Sequence, residues 1–314
     1  MRPGTNVTVQ SQIPPTTPPI DTGTWFVAGI TTQGPIAPEP AASFAQWQAR
    51  YGGRGTNPLL SDSVETYFAQ GGTQVITART VGPAAATATV VLKDVGAVAT
   101  LTVNAVGPGT YANGYQIVVA TTADSGVTIT VEDASGNVLE VSNTCYTVAD
   151  CVAYGQTSSY VTLTATGANL PVAVTAALAG GADDLSNVST TQYQNALALF
   201  TRDLGPGRVS CPGVTTVAVL TAVAQHCNTA GPAGFRIAVG DLPDVTVAAT
   251  LIADAAPIRA LGAVARPVGL FTPWQDIAPA AGTAGNRAVP PSAFYCGLAA
   301  KNDATTGNPN IPIA

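Results

Sequence analysis

Between residues 87 and 180 the chain changes texture, and that change constrains its fold more than any other feature. In this stretch Val and Thr alternate in short runs, "TATVVLKDV", "ATLTVNAVGPG", "YQIVVATT", "VTITVEDASGNVLEVSN" and "SYVTLTAT", punctuated by Gly, Asn and Asp. A period of two puts alternate side chains on one face, so each run reads as a half-buried strand, and many such strands at close spacing predict a separate β-rich domain. "EDASGNVLE" is the clearest hairpin, with Asp133, Ser135, Gly136 and Asn137 supplying turn chemistry between two alternating runs.

On either side the pattern is different. "TWFVAGITTQGP" is continuously apolar, as a strand covered on both faces must be. "SFAQWQARYG" and "DSVETYFAQGG" follow with apolar residues at helical spacing, each closed by Gly, and "TQVITARTV" returns to strand. After "LAGGADDLSNVST" the two periods alternate again: helix "TTQYQNALALFTRDLG", strand "GRVSCPGV", helix "TTVAVLTAVAQHCNTAG", strand "FRIAVGDLP", helix "VAATLIADAAPIRALG", then "ARPVGLFTPWQDI". Repeated β-α-β units predict a parallel sheet with helices on its faces. The expected organisation is an α/β domain in two parts, residues 25–86 and 181–314, interrupted by an inserted β-rich domain at 87–180. Residues 1–24 carry five prolines and six threonines, too little apolar surface to fold alone. They read either as a frayed terminus or as an arm, in which a strand such as "NVTV" would pair with an exposed sheet edge of a partner.

Charge narrows the partners. The net charge is −6 and the twelve basic residues are scattered, which argues against nucleic acid. Only 10% of residues are charged, so little ionic surface must be desolvated where copies pack together. No run approaches the roughly 18–20 apolar residues of a membrane span, and "MRPGTNVTVQSQIPPTTPPI" lacks the apolar segment of a signal peptide. The chain is expected to stay in the cytoplasm where it is made.

Candidate chemistry is sparse. Cys145, Cys151, Cys211, Cys227 and Cys296 form no C-x-x-C pair and read as buried thiols, although Cys145 and Cys151 are close enough to meet across "CYTVADC". His226 and Cys227 are adjacent and point apart on a helix, which is poor zinc geometry. "GPGTYANG" lacks the Lys-Ser/Thr of a phosphate loop and precedes a strand, so it is a turn. Asp183 and Asp184 would repel phosphate and have no further calcium ligands at loop spacing; they read as helix-capping or solvated acids. Ser210 and Ser292 are conceivable nucleophiles, but no G-x-S-x-G elbow occurs, and His226 reads as a structural histidine whose charged form is favoured by a helix C-terminus. No catalytic, cofactor-binding or metal-ligating residue is assigned.

"RPGTNVTVQSQIPPTTPPIDTGTWFVAGITTQGP", "GPGTYANGYQIVV", "GGADD", "SCPGV", "LFTPW" and "VPPSAFYCGLAAKNDATTGNPNIPIA" together resemble the tail sheath proteins of contractile bacteriophages and related injection devices. The resemblance runs from residue 2 to 314 and is most specific at "PGTYANG" and "VPPSAFYCGLAAKND". It implies a subtilisin-like α/β core without protease activity, an inserted β-rich domain, and an interaction arm at 1–24. It also implies a virion structural protein assembled in the host cytoplasm. Copies would form stacked hexameric rings linked by strand exchange, around a tail tube and between a baseplate and a tail terminator. Contraction would drive the tube through the host envelope and allow genome ejection. Sheath proteins continue past the closing segment into a C-terminal domain that contacts the tube, so the resemblance implies either that these 314 residues are part of a longer gene product, the favoured reading, or that this is an unusual member whose inner contacts are made otherwise; tube-facing residues are not assigned. Two other readings remain open from the residues alone: an adhesin or receptor-binding protein carried by the β-rich segment, and a serine hydrolase.

Overall fold

The computed structural model describes residues 23–229, 236–280 and 283–306. The proposed arm, apart from Gly23 and Thr24, lies outside the described residues, as does the end of the chain after residue 306.

The first apolar run is strand β1 (Trp25–Gly29), buried at every position. After the short β2 (Glu39–Ala41), helix α1 (Phe44–Tyr51) starts where the Ser43 hydroxyl accepts from the Gln46 amide, and ends at Gly52, whose φ of 82° suits glycine. Helix α2 (Leu59–Ala69) and the fully buried β3 (Val75–Arg79) complete this part.

The middle of the chain forms β4 (Thr89–Lys93), β5 (Ala99–Ala105), β6 (Gln116–Thr121), β7 (Val127–Glu132), β8 (Val138–Val141), helix α3 (Val148–Thr157), β9 (Val161–Ala165) and β10 (Val174–Ala177). Its strands make two antiparallel sheets, ordered β4-β5-β9 and β10-β6-β7-β8. Alternate residues of β5, β6, β7 and β9, among them Leu101, Val103, Ile117, Val119, Ile129, Val131 and Val161, fill one shared apolar cluster. Helix α3 was not anticipated: Cys151 lies within it, and its start is a capping box in which Thr147 and Asp150 satisfy each other's backbone N–H groups.

The chain then returns through α4 (Thr190–Ala198), β11 (Gly207–Ser210), α5 (Val217–Thr229), β12 (Arg236–Asp241), α6 (Ala248–Arg259), β13 (Val268–Phe271), β14 (Gln275–Ile277), β15 (Arg287–Val289) and α7 (Pro291–Thr306). Six strands from both ends of the chain form one sheet, ordered β13-β12-β11-β1-β3-β2. The first five are parallel and β2, which holds Pro40, is an antiparallel edge.

Alternation along β1 sorts the two faces. Trp25 and Val27 point into a cluster with Trp47, Tyr67 and residues of α7, while Phe26 and Ala28 point into another with Phe200, Val219 and Val223. The buried aromatics keep their polar ends satisfied: the Trp25 indole donates to Ser210 Oγ at 2.9 Å, Trp47 to Thr77 Oγ1 at 2.9 Å, and Tyr51 to the Thr77 carbonyl at 2.9 Å. Ion pairs fasten the last elements to α2 and to the sheet. Arg287 reaches Asp62 of α2 at 2.8 Å, and Arg208 of β11 reaches Asp303 of α7 at 3.0 Å.

All five cysteines are buried and unpaired. Burial first and the neighbouring Cys145 second push the Cys151 thiol up to about 12.

Candidate functional site

The chain crosses from the six-stranded sheet to the β-rich sheets after β3 and comes back after β10, and the two crossings run side by side. Ala86 and Ala182 exchange backbone hydrogen bonds at 2.8 and 2.9 Å, the Thr89 amide donates to the Ala179 carbonyl at 2.8 Å, and the Gly82 amide donates to the Asp183 carbonyl at 2.9 Å. Against this ribbon lies the "PGTYANG" turn, a single 3₁₀ turn at Thr110–Ala112. Its Gly109 amide donates to the Ala86 carbonyl at 3.0 Å. Asn113 and Gly181 exchange two bonds, Nδ2 to carbonyl at 3.0 Å and amide to Oδ1 at 2.8 Å.

Arg79, the last residue of β3, closes this joint with a side chain that is fully buried. Its Nη1 donates to the carbonyls of Gly34, at 3.0 Å, and of Pro108. Nη2 donates to Asp183 Oδ1 at 2.7 Å, and Asp183 Oδ2 accepts from the amide and hydroxyl of Thr110, both at 2.9 Å. The guanidinium also lies 5.8 Å from the centre of the Tyr111 ring. Burial pulls the Arg79 pKa below its ordinary value, and the Asp183 carboxylate opposes that pull. Asp184 accepts from the Ala84 amide at 2.8 Å. The sequence reading of these acids is therefore corrected: Asp183 and Asp184 neither cap a helix through their side chains nor stand free in solvent, because both bind the crossing strands.

Gly181 is required by close approach. A Cβ there would lie 2.2 Å from the Gly109 carbonyl oxygen, which is backbone and cannot swing aside. Gly181→Ala is expected to destabilise the chain by about 1–3 kcal/mol, the range of overpacked sites, and urea unfolding monitored by tryptophan fluorescence measures it.

Beside the joint opens a cleft of about 480 Å³. It is lined by Glu39 and Arg50 together with Tyr111, Tyr115 and Tyr160. Arg50 grips Glu39 in two bonds, at 2.5 and 2.6 Å, and its Nη1 donates to the Ser159 carbonyl, a second tie between the α/β part and the β-rich part.

The hydrolase residues are not brought together. Ser292 opens α7, where its Oγ donates to Asp241 Oδ2 at 2.8 Å, and its amide donates to Asp241 Oδ1 at 2.8 Å. Burial pushes the Asp241 carboxyl up, against hydrogen bonds from Gly213 and Ser292 that hold it down. His226 is on α5, which packs on the opposite face of the sheet from α7, so the sheet separates it from this pair. Ser210 is occupied as the acceptor of the Trp25 indole. A Ser-His-Asp relay needs all three groups in hydrogen-bond reach, and these are not.

The expectation that His226 favours its charged form is also corrected. Burial first, and the Arg236 guanidinium at 3.3 Å second, lower its pKa to about 4. The folded state thus holds the ring neutral while the unfolded chain titrates near 6.5, so its contribution is full above pH 6.5 and is lost as pH falls toward 4. His226→Gln should flatten the fall in melting temperature between those two pH values, as read by thermal unfolding at stepped pH.

Among the described residues no helix is long and apolar enough to cross a membrane, and no group of three or more His, Cys, Asp or Glu is placed to hold a metal ion.

No protein-family model matches the chain, and no curated protein does. Solved structures share its fold. A sheath tail protein from Listeria innocua superposes with a TM-score of 0.55 at 14% identity, over 90% of this chain and 57% of that one. A sheath tail protein from Desulfitobacterium hafniense does so at 0.51 and 16% identity, over 95% of this chain and 62% of that one. A looser match, at a TM-score of 0.38 and 12% identity, is to the helical sheath of the anti-feeding prophage in its contracted state. The chain spans 57% and 62% of the lengths of the two sheath tail proteins.

Proposed function

We propose that this chain, which has the fold of sheath tail proteins, is a structural subunit of a contractile tail sheath. The observation that carries the reading is the extent of the shared fold: the likeness runs over 90% and 95% of the chain, so the six-stranded sheet and the β-rich sheets are both included. Fold alone does not fix function. The separation of His226 from Ser292 and Asp241 supports a mechanical role over a hydrolytic one.

In this reading residues 25–86 and 181–314 are a subtilisin-like core, and 87–180 is an inserted domain that faces outward at larger radius. Copies assemble into stacked hexameric rings around a tail tube, between a baseplate and a terminator, and residues 1–24 link neighbours by adding strands to them. Assembly traps an extended lattice; release lets each subunit rotate as a near-rigid body into a shorter, wider one and drive the tube through the host envelope. Rigid rotation needs the two parts of the subunit to move together. The joint at Arg79 and the Arg50 tie supply that coupling.

The test is abundance. Tail particles purified from the native source should contain this chain among their most plentiful proteins, comparable with the tube protein. A few copies per particle would instead mark a receptor-binding protein, and complete absence would reject a virion role.

A further inference from the structure

We propose that the cleft beside the joint binds the proline-rich segment Pro14–Pro19 of a second copy of the chain. This rests on the reading of the chain as a subunit that assembles with its own copies, and it adds a site to that reading.

The cleft has the chemistry of a polyproline receptor. Tyr111 and Tyr115 present rings at 83° to one another with centres 6.2 Å apart, and Tyr160 stands beside them. Aromatic-lined grooves of this kind take extended proline segments. The Tyr111 hydroxyl is held by the backbone of Gly107, whereas those of Tyr115 and Tyr160 have no hydrogen-bond partner among the described residues. A polyproline II segment offers carbonyls that it cannot satisfy itself, so two unused hydroxyl donors in an aromatic cleft complement it.

The chain itself contains a matching ligand. "IPPTTPPI" places four prolines in six positions, and Pro15 and Pro18 are three apart. A polyproline II helix has about three residues per turn, so these two fall on one edge, and its preformed backbone lowers the entropic cost of docking.

Geometry favours a second copy over the same one. The Gly23 carbonyl accepts from the Tyr67 hydroxyl at 2.7 Å, at the N-terminal end of β1, whereas the cleft is lined by Gln33 and Gly34, beyond its C-terminal end. From Gly23 back to Pro18 an extended chain reaches roughly 17 Å. β1 alone, five residues at about 3.3 Å each, takes up nearly that whole reach, so it is spent before the C-terminal end of the strand is passed.

A photocrosslinking experiment on the full chain tests this. Ile20→p-benzoyl-phenylalanine places a probe beside the segment and outside the described core. Irradiation of assembled protein should give a covalent dimer whose adduct maps by mass spectrometry to residues 111–115 or 156–160. Pro15→Ala with Pro18→Ala, which leaves every described residue unchanged, should reduce that adduct by roughly tenfold, the factor expected for loss of one good contact. An adduct within a single chain, an adduct unaffected by the proline changes, or no adduct would overturn the proposal. Dimers crosslinked elsewhere would overturn it too, while leaving contact between copies, and so the sheath reading, intact.

Discussion

Arg79→Met is expected to lower the stability of the chain by about 3–5 kcal/mol, the cost of removing one partner from a buried ion pair. Methionine keeps the apolar stem and removes the fork of donors. The loss then falls on three acceptors at once: the Asp183 carboxylate and the carbonyls of Gly34 and Pro108. Each is left to find water in a joint that encloses a fully buried guanidinium. The double change Arg79→Met with Asp183→Asn should cost less than the two single changes added together, because the residues act as one unit. Urea unfolding followed separately by tryptophan fluorescence and by proteolysis within residues 80–88 measures the effect. A loss under about 1 kcal/mol, the value of an exposed pair, would show that the joint is not held by this arginine. Under the proposed sheath function, a subunit with a loosened joint should assemble but contract incompletely, since motion of the sheet would no longer carry the β-rich part with it.

The second large effect concerns assembly. Deleting residues 1–20 is expected to leave the subunit folded, because residues 1–24 carry too little apolar surface to add much to a core, and the described residues from Trp25 onward already fill the apolar clusters of the sheet. The same deletion should abolish long sheaths, because it removes the only linkage between copies that the arm reading provides. Circular dichroism tests the first half and electron microscopy of the polymers the second. Long, regular tubes from the shortened chain would refute the arm. Loss of fold would show that the segment belongs to the core of its own subunit.

Much of the fold was legible because periodicity survives in the sequence. The continuous apolar run that became β1 packs on both faces, and the Val/Thr alternation of β5 to β7 marks strands with one buried side. Helix α3 was hidden by its small residues. Yet its signature was present, in the T-x-x-D of Thr147 and Asp150 and the helical spacing of Val148, Cys151 and Val152. The joint was half legible. "PGTYANG" and "GGADD" stood out as turns, but nothing local shows that they meet, since Thr110 and Asp183 lie 73 residues apart and Arg79 and Asp183 lie 104 apart. Arg79 carried no signal, because an arginine ending a strand usually points to solvent. His226 misled for a related reason. Its place near a helix end suggested a favoured charge, but the deciding neighbour, Arg236, belongs to a strand that only the tertiary fold brings within 3.3 Å.

In the proposed function this chain builds the wall of a contractile tail with its β-rich part outermost. Electron microscopy of particles from the native source, labelled with an antibody raised against residues 87–180, tests it most directly. Regular decoration along the whole tail is the predicted result. Label confined to the tail tip, or none on any particle, would contradict it.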